Sequence, residues 1–477
     1  MKLKDLLSGL EILESNVDME LEIQEVAYDS RKVMPGGMFV AITGFATDGN
    51  RFIPMALENG AAVVVTATKP QKEVPYVLVS SDRKALAVIG ANFYGYPARS
   101  MTMIGITGTN GKTSSTLLLK HILEEVQGAK VGLIGTMENL IGQEVVPTER
   151  TTPESFELQA LFARMRDAGC THVVMEVSSH ALVLDRVGTV RYDVAAFTNL
   201  TEDHLDFHET MENYCDAKAM LFSRCGRAVM NCDDPWFARM HTGVTCPVIT
   251  TSVKGAAGLY AQNVQMHADG VTFTAVFGQE TAYVKLGIPG KFTVYNALTV
   301  LGMALQLGIS LEAAAQALST AKGVKGRVEV VPTPGKPYTV LIDYAHSPDG
   351  LENVLSSVRD FCKGRMIAVF GCGGDRDRTK RPIMGRIGVE LADIAVITSD
   401  NPRTEEPAAI IADIVAGIGE AKNAVVVENR VDAIHYAMDI GQKDDIIVLA
   451  GKGHETYQEI CGVKHHLDER EIVAEYL

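Results

Sequence analysis

The stretch that most restricts this chain is Gly105-Ile106-Thr107-Gly108-Thr109-Asn110-Gly111-Lys112-Thr113-Ser114. The apolar run 101–107 reads as a strand and 114–126 as a helix, with a glycine-rich turn between them. That order is the context of a phosphate loop. Glycines let successive N–H groups face phosphate oxygens, and the helix N-terminus adds a favourable field. Lys112 is placed to neutralise β- and γ-phosphates, and the Thr113 hydroxyl to coordinate Mg²⁺. The usual spacing has a glycine where Ile106 stands, so this is a variant of the pattern.

A strand feeding such a loop belongs to a parallel sheet covered by helices, and the rest of the chain agrees. At 477 residues it exceeds one ordinary core. Three blocks are expected: 1–99, closed by Tyr96-Pro97; 100–330, a parallel-sheet ATPase domain around the loop; and 331–477, a doubly wound, Rossmann-like α/β unit. Within the second, 259–288 reads as a small antiparallel patch. The third has strands expected at 339–343, 366–370, 394–399, 424–427 and 445–450.

Net charge is −15, which leaves no excess of cations for a nucleic-acid backbone. No apolar run is long enough to span a membrane, and the N-terminus lacks the apolar core of a signal peptide. The eight cysteines include no CxxC pair, which fits incidental thiols in a reducing cytoplasm.

Polar motifs follow strand after strand: Glu176, Asn199 to His204, Asp343 to His346, Asp375-Arg376, Asp400 to Arg403 and Gly451 to Glu455. Ligands of open α/β sheets bind outside the carboxyl ends of the strands, and two such edges facing each other would form a shared cleft. Alone, Glu176 reads equally as a capping or salt-bridged acid, His204 as structural, and Lys218 as a solvated helix charge. Thr152 reads equally as a helix cap and Arg403 as a surface residue after a turn.

Taken in order, Gly108 to Thr113, Glu176-Val177-Ser178-Ser179, Thr198-Asn199-Leu200 with Asp203-His204, Asn296, Arg327 and Asp343-Tyr344-Ala345-His346 resemble the signature of the Mur ligase family. Asp29-Ser30-Arg31 and Asp400-Asn401-Pro402-Arg403 narrow the likeness to members that add meso-2,6-diaminopimelate to UDP-N-acetylmuramoyl-L-alanyl-D-glutamate in peptidoglycan synthesis, a step tied to cell shape and division. The resemblance implies ATP-dependent formation of an acyl phosphate, then attack by the amine. It assigns ATP to Gly108, Thr109, Asn110, Gly111, Lys112, Thr113, Ser114, Asn296, Arg327 and Asp343, the last two brought in as the C-terminal domain closes. Thr113 and Glu176 would hold one Mg²⁺, and His204 would contribute to a second. Lys218 would be carboxylated to a carbamate, because an ammonium would repel the metal whereas a carbamate offers anionic oxygens. Lys112, Lys218, Glu176 and His204 are thus the expected catalytic set.

For the muramyl peptide the resemblance points to Ser30, Thr151, Thr152, Ser178 and Arg186. For the amine donor it points to Arg376, Asp400, Asn401, Pro402, Arg403, Gly451 and Glu455. An arginine pair suits a diacid, since diaminopimelate differs from lysine by its distal carboxylate. A lysine-adding or folyl-polyglutamate-type ligase is the nearest rival. A P-loop switch without ligase chemistry would leave most strand-end motifs without a use. A dinucleotide oxidoreductase is disfavoured by Lys-Thr in the loop. A cytoplasmic monomer is expected.

Overall fold

The computed structural model describes residues 1–44 and 47–477. They form two compact units, 1–252 with 299–310, and 253–298 with 311–477.

The first unit opens with a sheet of β1 (Ile12–Ser15), β2 (Val26–Ala27), β3 (Met38–Ala41), β4 (Val63–Thr66) and β5 (Tyr76–Val79), ordered β1-β5-β4-β3-β2. Only β1 runs antiparallel. The following helix, Asp82–Tyr94, ends at Gly95 in the left-handed conformation (φ 71°), the usual stop for a helix.

The larger sheet comprises β6 (Thr102–Thr107), β7 (Val131–Ile134), β8 (Asn139–Ile141), β9 (Glu144–Val146), β10 (His172–Glu176), β11 (Val194–Phe197), β12 (Ala228–Asn231) and β13 (Val248–Ser252). Their order in this unit is β13-β12-β11-β6-β10-β7-β8-β9. The six strands from β13 to β7 are parallel, and β8 and β9 add an antiparallel edge. β6 therefore sits between β10 and β11, and its loop opens between the residues that follow those two strands.

Helix Asp82–Tyr94 of the block 1–99 packs on helix Ser155–Asp167 of the block 100–330. The Phe93, Tyr94 and Phe156 rings lie 5.0–5.7 Å apart. Tyr28 donates its hydroxyl proton to Glu157, adding a polar tie.

In the second unit β14 (Leu259–His267), β15 (Gly270–Phe277) and β16 (Glu280–Leu286) form the antiparallel patch. A separate sheet holds β17 (Glu329–Val331), β18 (Thr339–Asp343), β19 (Met366–Phe370), β20 (Ile394–Ile397), β21 (Ala424–Val426) and β22 (Ile446–Ala450), ordered β17-β18-β22-β19-β20-β21. β17 pairs antiparallel with β18, so a boundary between 330 and 331 falls inside a strand of this sheet.

Alternate residues of each strand feed two cores. Met366, Ala368 and Phe370 pack with helices Pro348–Arg359, Lys380–Leu391 and Pro407–Val415. Ile367 and Val369 pack with helices Arg430–Asp439 and Glu469–Glu475. This period of two on a sheet covered on both faces explains why the strands read as continuous apolar runs. The chain after β19 leaves toward the first set of helices and the chain after β22 toward the second. The crevice between those strand ends is the switch point where α/β sheets bind ligands.

Among the described residues no helix is long and apolar enough to cross a membrane.

Candidate active site

Ile106, standing where the common phosphate-loop pattern has glycine, is fully buried in β6 and paired with Glu176 and Ala196. The turn is made by Gly108 (φ 150°) and Gly111 (φ 84°) instead. A Cβ on Gly108 would lie 1.9 Å from Thr198 Oγ1. The loop is tied to the segment after β11: Thr109 N donates to Asn199 O (2.8 Å), Asn110 N to Asn199 Oδ1 (2.9 Å), and Thr198 Oγ1 to Asn110 O (2.7 Å). Helix Lys112–Gln127 starts at the lysine itself, two residues before the sequence pattern indicates. Lys112 Nζ donates to Gly108 O and Thr109 O, each at 2.8 Å, and burial lowers its pKa. Ser114 is half-buried in the first turn.

Thr113 Oγ1 donates to Glu176 Oε1 at 2.8 Å, joining the helix start to the end of β10. Glu176 is buried and also accepts from Thr136 N and Thr136 Oγ1, both at 3.0 Å. One hydroxyl and one carboxylate are a suitable donor set for Mg²⁺, which takes few protein oxygens and keeps waters or phosphates as other ligands. Among the described residues no three His, Cys, Asp or Glu side chains form a ready cage.

His204 is half exposed, with φ 53°, ahead of helix Leu205–His208. Its ring lies 6.2 Å from that of Tyr214, and Lys218 Nζ lies 4.5 Å from the same ring. Tyr214 and Lys218 are one turn apart on helix Met211–Ala219. The sequence does not single out Tyr214, yet its hydroxyl is 3.3 Å from Thr109 Oγ1.

The Lys218 side chain is buried, not solvated. Its Nζ donates to Gly108 O at 2.9 Å and, among the described residues, has no carboxylate within salt-bridge distance. Burial, and then the charge of Lys112, push its pKa well below the ordinary lysine value. The desolvation penalty on an ammonium without a paired carboxylate favours the neutral form.

Thr151 Oγ1 lies 3.0 Å from Thr136 Oγ1. Thr152 is not a helix cap, since Glu154 caps helix Ser155–Asp167. Its buried hydroxyl donates to Glu176 O (2.9 Å) and accepts from Ser178 N (3.2 Å), which fixes the chain after β10. Ser178 caps helix Ser179–Val183 through Ala181 N. Arg186 donates to Thr152 O (3.2 Å) and stands 3.3 Å from Glu154, which also lies 3.6 Å from Arg83. Burial lowers the Arg186 pKa against the opposing pull of Glu154. Ser30 lies elsewhere in this unit, in a cavity of about 480 Å³ lined by Tyr28, Asp29, Arg31, Phe52 and Met55 among others.

In the second unit Asn296 is buried on helix Lys291–Gln306. Arg327 is exposed, its guanidinium 5.7 Å from the centre of the Tyr344 ring. Asp343 ends β18 and accepts from Val328 N (2.8 Å) and Ala345 N (2.9 Å). Burial raises its pKa despite those bonds.

The Arg403 guanidinium reaches Gly373, beside which the exposed side chain of Arg376 begins. A Cβ on Gly373 would lie 2.9 Å from Arg403 Nη1 and 3.9 Å from Arg376 Cγ. Arg403 (φ 52°) donates from Nη1 to Gly374 O at 2.7 Å and holds Nε 3.3 Å from Glu459. Pro402 and Asn401 are buried behind it. Asn401 Nδ2 donates to Glu455 Oε2 (2.9 Å), so Glu455 is tied to the opposite loop. Lys452, which sequence reasoning missed, is wholly buried and donates to Asn401 Oδ1 (3.0 Å) and Glu455 Oε2 (3.3 Å). Its only signal in the sequence is a lysine between Gly451 (φ 122°) and Gly453 (φ 54°).

Three family profiles match in order: the Mur ligase family catalytic domain over residues 22–97, the Mur ligase middle domain over 106–304, and the Mur ligase glutamate ligase domain over 326–453. The chain is 49% identical to the UDP-N-acetylmuramoyl-L-alanyl-D-glutamate–2,6-diaminopimelate ligase of Clostridium botulinum, over 96% of this chain and 95% of the relative. It is 48% identical to the enzyme of the same name from Clostridium tetani, over 100% and 99%. A solved structure bearing that name aligns with a TM-score of 0.76 at 31% identity, covering 100% of this chain and 98% of that one. MurF from Acinetobacter baumannii shares the fold at a TM-score of 0.60 and 18% identity. With all three regions matched along its length, the chain belongs to the Mur ligase family.

Proposed function

We propose that this protein is an ATP-dependent ligase that joins meso-2,6-diaminopimelate to the D-glutamyl carboxylate of UDP-N-acetylmuramoyl-L-alanyl-D-glutamate, in peptidoglycan synthesis. The observation that supports the choice of amine is the Arg403 guanidinium over Gly373, with the Arg376 side chain beginning beside the same glycine, on a chain nearly half identical to ligases named for this substrate. A second guanidinium favours a donor with two carboxylates over lysine.

In the first step the substrate carboxylate attacks the γ-phosphorus of ATP, forming an acyl phosphate and releasing ADP. The loop amides from Gly108 to Thr113 and the Lys112 ammonium counter charge that builds on phosphoryl oxygens. Lys112 now bonds two carbonyls of its own loop, so it is positioned to exchange them for phosphate oxygens. Mg²⁺ held by Thr113 and Glu176 would supply further charge neutralisation of the phosphates. Asn296, Arg327 and Asp343 serve the nucleotide as the resemblance implies. In the second step the donor amine attacks the acyl carbon, the tetrahedral intermediate collapses, and phosphate leaves with the amide formed. Arg403 and Arg376 grip donor carboxylates, while Glu455 accepts from a donor ammonium. Ser30, Thr151, Ser178 and Arg186 bind the muramyl peptide, and Thr152 acts through Ser178 and Glu176.

Lys218 fits carboxylation: burial favours the neutral form of its amine, which is the nucleophile that CO₂ requires, giving a carbamate and a proton. The carbamate and His204, both close to the Tyr214 ring, would serve a second Mg²⁺. Mass spectrometry after trapping the carbamate by alkylation checks the modification. An unmodified Lys218 peptide, together with full activity of Lys218→Ala, removes it.

Phosphate release with the muramyl dipeptide and ATP, comparing meso-diaminopimelate, lysine and no amine, tests the whole reading. Release stimulated by diaminopimelate is expected. Stimulation only by lysine or glutamate overturns the substrate, and release independent of any amine overturns the ligase. We propose a cytoplasmic monomer acting on a soluble nucleotide-linked substrate.

A further inference from the structure

The amine-donor site is built from two loops that are not neighbours in the sheet. Asp400 to Arg403 follow β20, Gly451 to Glu455 follow β22, and β19 lies between those strands. Hydrogen bonds of β20 and β22 to β19 set the strands, but they do not reach the loops beyond the strand ends. Side chains join the loop tips, and one buried side chain addresses the carbonyls at the base of both loops. Arg430, the first residue of helix Arg430–Asp439, is fully buried. Its Nη2 donates to Ala450 O at 2.9 Å, the carbonyl immediately before Gly451. Its Nη1 lies 3.5 Å from Ser399 O, the carbonyl immediately before Asp400, and 3.8 Å from Asp400 Oδ2. Its Nε donates to Glu469 Oε1 at 2.8 Å, and Glu469 is itself wholly buried at the start of helix Glu469–Glu475.

We infer that Arg430, neutralised by Glu469 of the C-terminal helix, is a positioning residue that sets the spacing of the two loops gripping the amine donor. The inference rests on the reading of those loops as the donor site. A guanidinium suits the task because its rigid fork addresses three acceptors in fixed directions, which a lysine ammonium on a flexible stem does not. The geometry beyond it is tight. A Cβ on Gly451 would meet Asp400 Oδ2 at 2.5 Å, so the loops touch there without room to adjust. Past that contact Asn401, Lys452 and Glu455 join the loop tips. Arg430 thus holds the base of a bridge whose far end carries Asn401 and Glu455. Glu469 makes the clamp compatible with burial, and it brings the last helix of the chain into the construction of the site. A displacement of about 1 Å at such a base is enough to weaken oriented binding strongly.

The test measures the three Michaelis constants and kcat of Arg430→Lys and Glu469→Gln, with thermal unfolding of each and Arg403→Ala as a reference. For Arg430→Lys the KM for meso-diaminopimelate is expected to rise about tenfold or more, while the KM values for ATP and the muramyl dipeptide stay within about twofold. Glu469→Gln, which leaves the guanidinium in place, should show the same selectivity with a smaller rise. A lowered melting temperature with an unchanged donor KM in the folded variants assigns Arg430 to stability alone and overturns the inference. If Arg430→Lys does not fold, Glu469→Gln decides on the same criterion. If Arg403→Ala also leaves the donor KM unchanged, the reading of the site itself fails. If Arg403→Ala raises it and neither clamp variant does, only this inference fails.

Discussion

Replacing Gly108 by alanine tests whether the phosphate loop depends on a conformation and a space that only glycine satisfies. The residue has φ 150°, outside the range that side chains adopt readily, and an added Cβ would stand 1.9 Å from the hydroxyl oxygen of the buried Thr198. Two penalties add. Strained backbone costs about 1–3 kcal/mol, and overpacking costs a further 1–3 kcal/mol or so. Turning the Thr198 hydroxyl aside relieves the clash only by giving up its bond to Asn110 O, worth roughly 0.5–1.5 kcal/mol. The expected destabilisation is therefore about 2–6 kcal/mol, with weaker ATP binding because the carbonyls that Lys112 bonds belong to the displaced residues.

Combining Gly108→Ala with Thr198→Ala should return only the steric part, about 1–3 kcal/mol relative to the sum of the single effects. Denaturant unfolding monitored in the first unit, with titration of a non-hydrolysable ATP analogue, reads both quantities. Unchanged stability and nucleotide affinity in Gly108→Ala would refute the reasoning. Strict additivity in the double variant would show that Thr198 is not the obstacle.

Thr113→Val keeps the shape of the side chain but removes the hydroxyl bonded to Glu176; kcat should fall by about 10²-fold with a raised Mg²⁺ requirement, measured by phosphate release across a Mg²⁺ titration. Arg403→Ala should raise the KM for diaminopimelate by roughly 30- to 1000-fold, about 2–4 kcal/mol, and narrow the preference over lysine, which competition assays of the two amines will read. Glu405 provides a pH test. Its bonds from the Arg381 guanidinium and the Asp375 amide hold its pKa down to about 2 from 4.5. A depressed carboxyl stabilises the fold above its ordinary pKa and loses that contribution as pH falls through the folded value. The stability difference between wild type and Glu405→Gln should thus be full above about pH 5 and shrink toward pH 2. A difference that does not change with pH in urea unfolding would contradict it.

Much of the fold was readable because its signals are local. The strands Thr339–Asp343 and Met366–Phe370 coincide with the apolar runs that forecast them, since a strand covered on both faces has no polar interruption. Pairing between distant segments is not legible locally. β17 joins the C-terminal sheet through its partner β18, and Phe93 and Tyr94 of the N-terminal block pack on Phe156 of the central one.

The same division runs through the site. Residue order alone determined that the chain carries a glycine-rich loop between a strand and a helix, polar strand ends and two arginines that follow strands, because backbone conformation and charge are properties of short segments. Tertiary structure alone decided that Lys218 is buried with no carboxylate at salt-bridge distance among the described residues, that Thr152 braces Glu176 instead of capping a helix, and that Lys452 and Arg430 underlie the loops after β20 and β22. Desolvation and hydrogen-bond closure depend on what the fold packs around a group. A lysine in the sequence looks the same whether water or protein will surround it.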